Sequence, residues 1–199
     1  MASEGRVWIM AKVFNTNGLC VPEAHYMVNI DERLKEIRKL VDDGKYFTIS
    51  KARQYGKTTT LMALSRFLQK DYYVVLIDFQ TFGSVDFETE KKFSHAFANT
   101  FLKIYRRANS TVTGKLQKVL DSLSFKISDQ NPDFTLRPLF DKIEDICAAS
   151  DKPIVLMIDE VDSATNNQVF IDFLAQLRAQ YLRRFQQPAL KSVILAGVY

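Results

Sequence analysis

The sequence predicts an α/β fold in three layers, a mainly parallel sheet flanked by helices. Two observations carry this. Apolar runs of strand length recur at residues 46–50, 72–79, 153–158 and 192–199, and such unbroken runs suit strands covered on both faces. The stretches between them repeat apolar residues every three or four positions, which is the spacing of amphipathic helices. Strands alternating with helices along a chain build a parallel sheet joined by crossovers.

Composition bounds what such a fold is for. A chain of 199 residues, 47% of them hydrophobic, makes one domain with a substantial core. No apolar run approaches the roughly 18 residues of a membrane span, so a water-soluble chain is expected. The opening MASEGRVWIMAKVF is interrupted by Lys12 and lacks a secretory cleavage pattern, which makes the cytoplasm the expected compartment. Cys20 and Cys147 lie far apart without metal-ligand spacing and are expected to be reduced and structural. Lysines and arginines number 27 against 23 acids, a net charge of +4 with a pI near 9.0. The basic residues are interleaved with acids. Pairs such as Arg106-Arg107 and Arg183-Arg184 therefore read as solvated helix faces, and the balance permits an anionic partner without demanding one.

Taken in order, residues 1–30 read as an N-terminal extension, with turn signals at residues 15–18 and at Pro22. A helix is expected over 31–43, with Asp31 as N-cap, a stripe of Leu34, Ile37, Leu40 and Val41, and Gly44 to end it. The run YFTIS at 46–50 is the first strand. It enters a loop, KARQYGKTT, that closes on Gly56-Lys57-Thr58-Thr59 and leads into a helix with Leu61, Leu64 and Leu68 at helical spacing. YYVVLIDF at 72–79 is a second strand ending near Asp78, which is either a strand-end acid or a more distant neighbour of a bound metal. Phe93, Phe97, Phe101 and Ile104 then mark a helix over 88–107, an aromatic stripe that belongs to the core. Residues 108–132 hold a helix-like run at 115–123 within polar, serine-rich sequence and read as an insertion at the surface. A helix over 133–150 follows, with Leu136, Leu139, Phe140, Ile143 and Ile146 facing inward. PIVLMIDEVD at 153–162 is a strand ending in acids. A helix over 168–184 turns Phe170, Phe173, Leu174, Leu177 and Tyr181 inward, and SVILAGVY is the last strand.

Two motifs carry chemistry. Strand, loop and helix at 46–64 have the order a phosphate-binding loop requires. Backbone N–H groups of Ala52, Arg53, Gln54, Tyr55, Gly56, Lys57, Thr58 and Thr59 would face phosphate oxygens at the positive end of the helix dipole. Gly56 lets the backbone approach closely, Lys57 brings an ammonium to the outer phosphates, and the Thr58 hydroxyl is a hard oxygen ligand suited to Mg²⁺. The usual glycine five residues before Gly56 is replaced by Lys51. In the second motif Asp159 is the expected Mg²⁺ ligand alongside Thr58, and Glu160 the base for an attacking water. Glu160 and Lys57 are thus the candidate catalytic residues.

With these residues in view the chain resembles the AAA-like ATPases of the P-loop NTPase superfamily, in the additional-strand, catalytic-glutamate division near the STAND and archaeal-ATPase groups. The segments that carry the resemblance are GLCVPEAHYMV at 18–28, ARQYGKTTTL at 52–61, IDEVDSATNNQVF at 158–170 and SVILAGVY at 192–199. A basic residue at the position of Lys51 also resembles the habit of this group. The resemblance implies a P-loop core over residues 31–199 and an N-terminal extension over residues 1–30 passing near the nucleotide base, with Pro22, Tyr26 and Met27 as candidates for packing on adenine, Tyr26 and Met27 being alternatively ordinary core. It implies that the last strand lies between the phosphate-loop strand and the acidic strand. The core would then be truncated before a fifth strand and a helical lid, or completed by cover from another chain, with the phosphate-loop strand otherwise an exposed edge open to self-association. Arg178, Arg183 and Arg184 near the end of the last helix either complement its dipole or offer one arginine finger to a γ-phosphate in the same or an adjacent subunit, and Asn166 or Asn167 is a candidate polar contact near that phosphate.

The function expected is Mg²⁺-dependent ATP binding and hydrolysis coupled to a conformational change, with ATP and Mg²⁺ as ligand and cofactor. The alternative is a nucleotide-gated regulator that acts on DNA or a protein partner with little or no hydrolysis. A small-molecule kinase is a third reading, disfavoured because a glutamate after Asp159 suits water better than a substrate hydroxyl.

Overall fold

A computed structural model of the chain describes residues 30–50, 56–109, 112, 114–128 and 133–198. In chain order its main elements are α1 (Asp31–Asp42), β1 (Tyr46–Ser50), α2 (Lys57–Leu68), β2 (Tyr73–Asp78), α3 (Glu90–Ala108), α4 (Gly114–Ser128), α5 (Leu136–Ala149), β3 (Ile154–Asp159), α6 (Gln168–Arg183) and β4 (Ser192–Gly197). No described helix is long and apolar enough to cross a membrane.

The four strands form one parallel sheet in the order β1-β4-β3-β2. The last strand therefore lies between the phosphate-loop strand and the acidic strand, and β1 is an edge strand among the described residues. Parallel pairing brings all the carboxyl ends to one side: Ser50 stands beside Gly197, and Asp78 beside Asp159.

Alternation along the strands feeds two separate cores. Tyr73, Val75 and Ile77 of β2, Ile154, Leu156 and Ile158 of β3, and Val193 of β4 face α3, α4, α5 and α6. Val74, Val155, Met157, Ile194, Ala196 and Ile49 face the other way, onto Leu34, Ile37 and Val41 of α1 and Leu61, Leu64 and Leu68 of α2. The three expected layers are the result. The aromatic stripe of α3 is core: Phe93, Phe97 and Phe101 are all but fully buried, and Phe93 and Phe97 meet Phe173 of α6 at ring-centroid distances of 5.2 and 4.9 Å.

Several helix boundaries follow from local chemistry. Gly44 ends α1 at φ +67°, with its N–H on the Val41 carbonyl, a left-handed conformation that glycine adopts without a Cβ penalty. Thr89 caps α3, its hydroxyl accepting the Lys92 N–H. Asp31 differs from expectation: the cap position is Ile30, and Asp31 sits in the first turn of α1, where a carboxylate still complements the helix dipole. The helix-like run at 115–123 is part of α4, whose Leu116, Leu120 and Leu123 are buried in the larger core.

Candidate functional site

The site is built where β1 and β3 end. After β1 the chain passes through residues 51–55 to Gly56, which adopts φ +70° and has no atom of the described residues within 4 Å of where a Cβ would stand. α2 begins at the next residue. Its first turn is tightened by Thr60, whose N–H and hydroxyl both donate to the Gly56 carbonyl, at 2.9 and 2.8 Å. Lys57 and Thr58 thus occupy the first two positions of a twelve-residue helix, at the positive end of its dipole.

β3 delivers the acids. Asp159, its last residue, is 3% exposed. One carboxylate oxygen accepts the Thr58 hydroxyl at 2.7 Å, and the other accepts the Glu160 N–H at 2.9 Å. The first of these bonds joins residues 101 positions apart in sequence, so it exists only because the fold sets the start of α2 against the end of β3. Glu160 adopts φ 55° and ψ 41°, and among the described residues no other non-glycine has positive φ. That left-handed conformation costs about 1–2 kcal/mol for a residue with a Cβ. It is held by Ser163, whose N–H and hydroxyl donate to the Glu160 carbonyl at 3.1 and 2.7 Å. The consequence is directional: the Glu160 side chain turns back toward α2, with Oε1 3.6 Å from Lys57 Nζ.

Lys57 is the electrostatic oddity of the site. Its side chain is 5% exposed, yet Nζ has no hydrogen-bond partner among the described residues beyond the loose contact with Glu160. A buried ammonium short of acceptors is unfavourable unless an anion completes it. The cluster therefore offers an incompletely satisfied cation, a hydroxyl beside a buried carboxylate, and a helix N-terminus. These are groups suited to a polyanion carrying a hard divalent cation.

The structure brings Gly56, Lys57, Thr58, Asp159 and Glu160 together, with Thr59 following in α2. Ala52, Arg53, Gln54 and Tyr55, together with Lys51, Cys20, Pro22, Tyr26 and Met27, lie outside the described residues. Asp78 stands beside Asp159 across β2 and β3, but its carboxylate accepts the Gln80 N–H at 2.8 Å and caps a short 3-10 turn. Arg183 and Arg184 are turned onto carbonyls of their own helix, Ala179 and Tyr181, and the Arg184 guanidinium also lies 3.7 Å from the Tyr181 ring centroid. Arg178 lines a groove of about 300 Å³ between α6 and β1. Asn167 bonds the Ala164 carbonyl just before α6. Cys147 is half-buried, and its desolvation pushes the thiol up to about 12.

Two residues that sequence reasoning left without a role also meet here. Asp162 accepts the Val198 N–H at 3.0 Å, and Gly197 fits so closely that an added Cβ would lie 2.8 Å from Val161 Cγ2. A glycine closing an apolar strand was the one sequence signal of this contact.

Comparison with known proteins agrees with this architecture. No curated protein matches the sequence. Among solved structures, a Walker-type ATPase of Pyrococcus abyssi is similar with a TM-score of 0.59 at 15% identity, over 92% of this chain and 48% of that one. The chain thus spans about half the length of that protein, and at this identity the likeness is one of fold. The sequence profile of AAA-like domains matches residues 23–199. An α/β core with a parallel four-stranded sheet, and a profile match over nearly its whole length, place the chain in the family of AAA-like domains, with a P-loop NTPase-like fold.

Proposed function

We propose that the chain binds ATP with Mg²⁺ and hydrolyses it, and that nucleotide state is coupled to conformation at the junction of α2 and β3. The observation that carries this is the meeting of two sequence-distant motifs: the Thr58 hydroxyl on Asp159 at 2.7 Å, beside Lys57 facing Glu160 at 3.6 Å. In this reading the N–H groups of residues 52–59 and the first turn of α2 bind the phosphates, and the buried Lys57 ammonium finds there the acceptors it otherwise lacks. Thr58 and Asp159 are the residues that would hold Mg²⁺, which supplies charge neutralisation on the phosphate oxygens when bound. Glu160 orients a water and accepts its proton. The Asp159 bond to the Glu160 N–H and the Ser163 bonds to the Glu160 carbonyl set the backbone from which that carboxylate reaches.

Glu160→Gln tests the assignment. The variant should bind ATP within about threefold of wild type while turnover falls by about 10²–10⁴, the usual contribution of a general base. Turnover at the wild-type rate would show that another group activates the water.

The same contact favours a second reading. The 3.6 Å contact pairs the carboxylate of Glu160 with the Lys57 ammonium, an arrangement that also suits a nucleotide-gated switch for a DNA or protein partner with slow turnover. ATP turnover with and without DNA separates the two: acceleration by DNA supports a motor, and an unchanged low rate supports the switch.

A further inference from the structure

We infer that Asp162 is a positioning residue for Glu160. It rests on the hydrolytic reading above and deepens it, by saying what holds the base in place. The Glu160 side chain springs from an unusual backbone, and that backbone continues directly into the 3-10 turn over Val161–Ala164. The turn has two kinds of support. Within itself, Ser163 bonds the Glu160 carbonyl and the Thr165 hydroxyl bonds the Asp162 carbonyl at 2.9 Å. From outside, the support is β4: the Val198 N–H donates to the Asp162 carboxylate at 3.0 Å, 36 residues away in sequence.

The packing around this bond shows a fitted contact. Gly197, the last residue of β4, presses against the turn so closely that a Cβ there would lie 2.8 Å from Val161 Cγ2, 3.0 Å from Asp162 Oδ1 and 3.4 Å from the Asp162 backbone nitrogen. The first of these distances is closer than real Cβ atoms come to other heavy atoms, so a side chain at 197 would displace the turn. Val161 itself is buried. The turn is therefore pinned between its own hydrogen bonds and the end of β4. Because β4 lies between β1 and β3, the pin ties the Glu160 backbone to the strand next to the one that leads into α2. Asp162 is only half-buried and does not face Lys57 or Thr58 in any contact of the structure, so its effect on the reaction passes through Glu160.

The test uses the whole chain with Asp162→Ala, Asp162→Asn and Gly197→Ala, measuring kcat together with the dissociation constant for Mg–ATP. Asp162→Ala should lower kcat by about tenfold or more with ATP affinity within about threefold of wild type, the signature of an interaction lost from the reacting geometry alone. Asp162→Asn keeps an acceptor oxygen for the Val198 N–H and should return kcat to within about threefold of wild type. Gly197→Ala displaces the same turn from the opposite side and should reproduce the loss seen in Asp162→Ala. Backbone amide exchange over 160–163 should rise in Asp162→Ala and not in Asp162→Asn. A wild-type kcat in Asp162→Ala, or an Asp162→Asn variant as impaired as Asp162→Ala, overturns the inference and leaves the ATPase reading standing. A wild-type chain that binds ATP without turning it over overturns the hydrolytic reading, and this inference with it.

Discussion

Replacing Lys57 with methionine separates the two demands on that residue. Among the described residues the ammonium, almost fully buried, makes one contact, to Glu160 at 3.6 Å. At an effective dielectric of about 20 that contact is worth about 5 kcal/mol. Burying an ion costs several kcal/mol, so the pair roughly breaks even. Glu160 keeps 28% of its side chain exposed, so its carboxylate stays hydrated when the lysine is removed. Lys57→Met should therefore leave the nucleotide-free protein unchanged or more stable by about 1–2 kcal/mol, a gain of about 2–8 °C in Tm at this chain length. With ATP the sign reverses. At 100 times Kd, Mg–ATP should stabilise wild type by about 2.7 kcal/mol and the variant not at all. Thermal unfolding followed by circular dichroism, with and without Mg–ATP, reads both effects. A nucleotide-free variant that melts more than about 4 °C below wild type would mean the ammonium is well satisfied where it stands, and the argument from an incomplete cation would fail. Equal stabilisation of both proteins by ATP would refute the phosphate contact.

The remaining expectations concern the frame around the site. Phe173→Ala removes a fully buried ring that contacts Phe93, Phe97, Phe140 and Phe170, and should cost about 3–5 kcal/mol, seen as a lower urea midpoint with an unchanged slope. At alkaline pH, burial raises Tyr72, Tyr73 and Cys147 to about 12, with hydrogen bonds to Asp42 and Asp151 adding to the two tyrosines. The folded state holds these protons more tightly than the unfolded chain, whose ordinary values are 10.0 and 9.0. The resulting stability is complete below about pH 9 and lost as pH rises to about 12. Denaturant titrations across that range should show the fall, and Cys147→Ala should flatten its lower part.

Much of this was legible in the sequence because β2, β3 and β4 are buried on both faces. Their apolar runs stand out, and the two motifs sit at strand ends where the order of strand, loop and helix can be read directly. The position of β4 between β1 and β3 followed from family resemblance, since no local pattern specifies strand order. What was not legible is long-range or conformational. α4 extends well beyond the helix-like run because its leucines find a core on α3 and α5, which polar, serine-rich flanks conceal. The left-handed backbone at Glu160 is foreign to a residue with a Cβ and is sustained by Asp159 and Ser163. The bond between Asp162 and Val198, like the close seat of Gly197, appears only when the last strand is placed beside the acidic turn. Asp31 opens the first turn and Ile30, which has no capping oxygen, holds the cap position, a displacement of one residue.

If the start of α2 and the end of β3 hold one nucleotide and its metal together, binding must depend on Mg²⁺ through Asp159. Titrating a fluorescent ATP analogue in Mg²⁺ and in EDTA, on wild type and on Asp159→Asn, tests it most directly. Mg²⁺ should tighten wild-type binding by about tenfold or more, about 1.4 kcal/mol, and the Asp159→Asn variant should lose this difference while keeping its metal-free affinity. Wild-type binding indifferent to Mg²⁺, or an Asp159→Asn variant that responds to Mg²⁺ as wild type does, would contradict it.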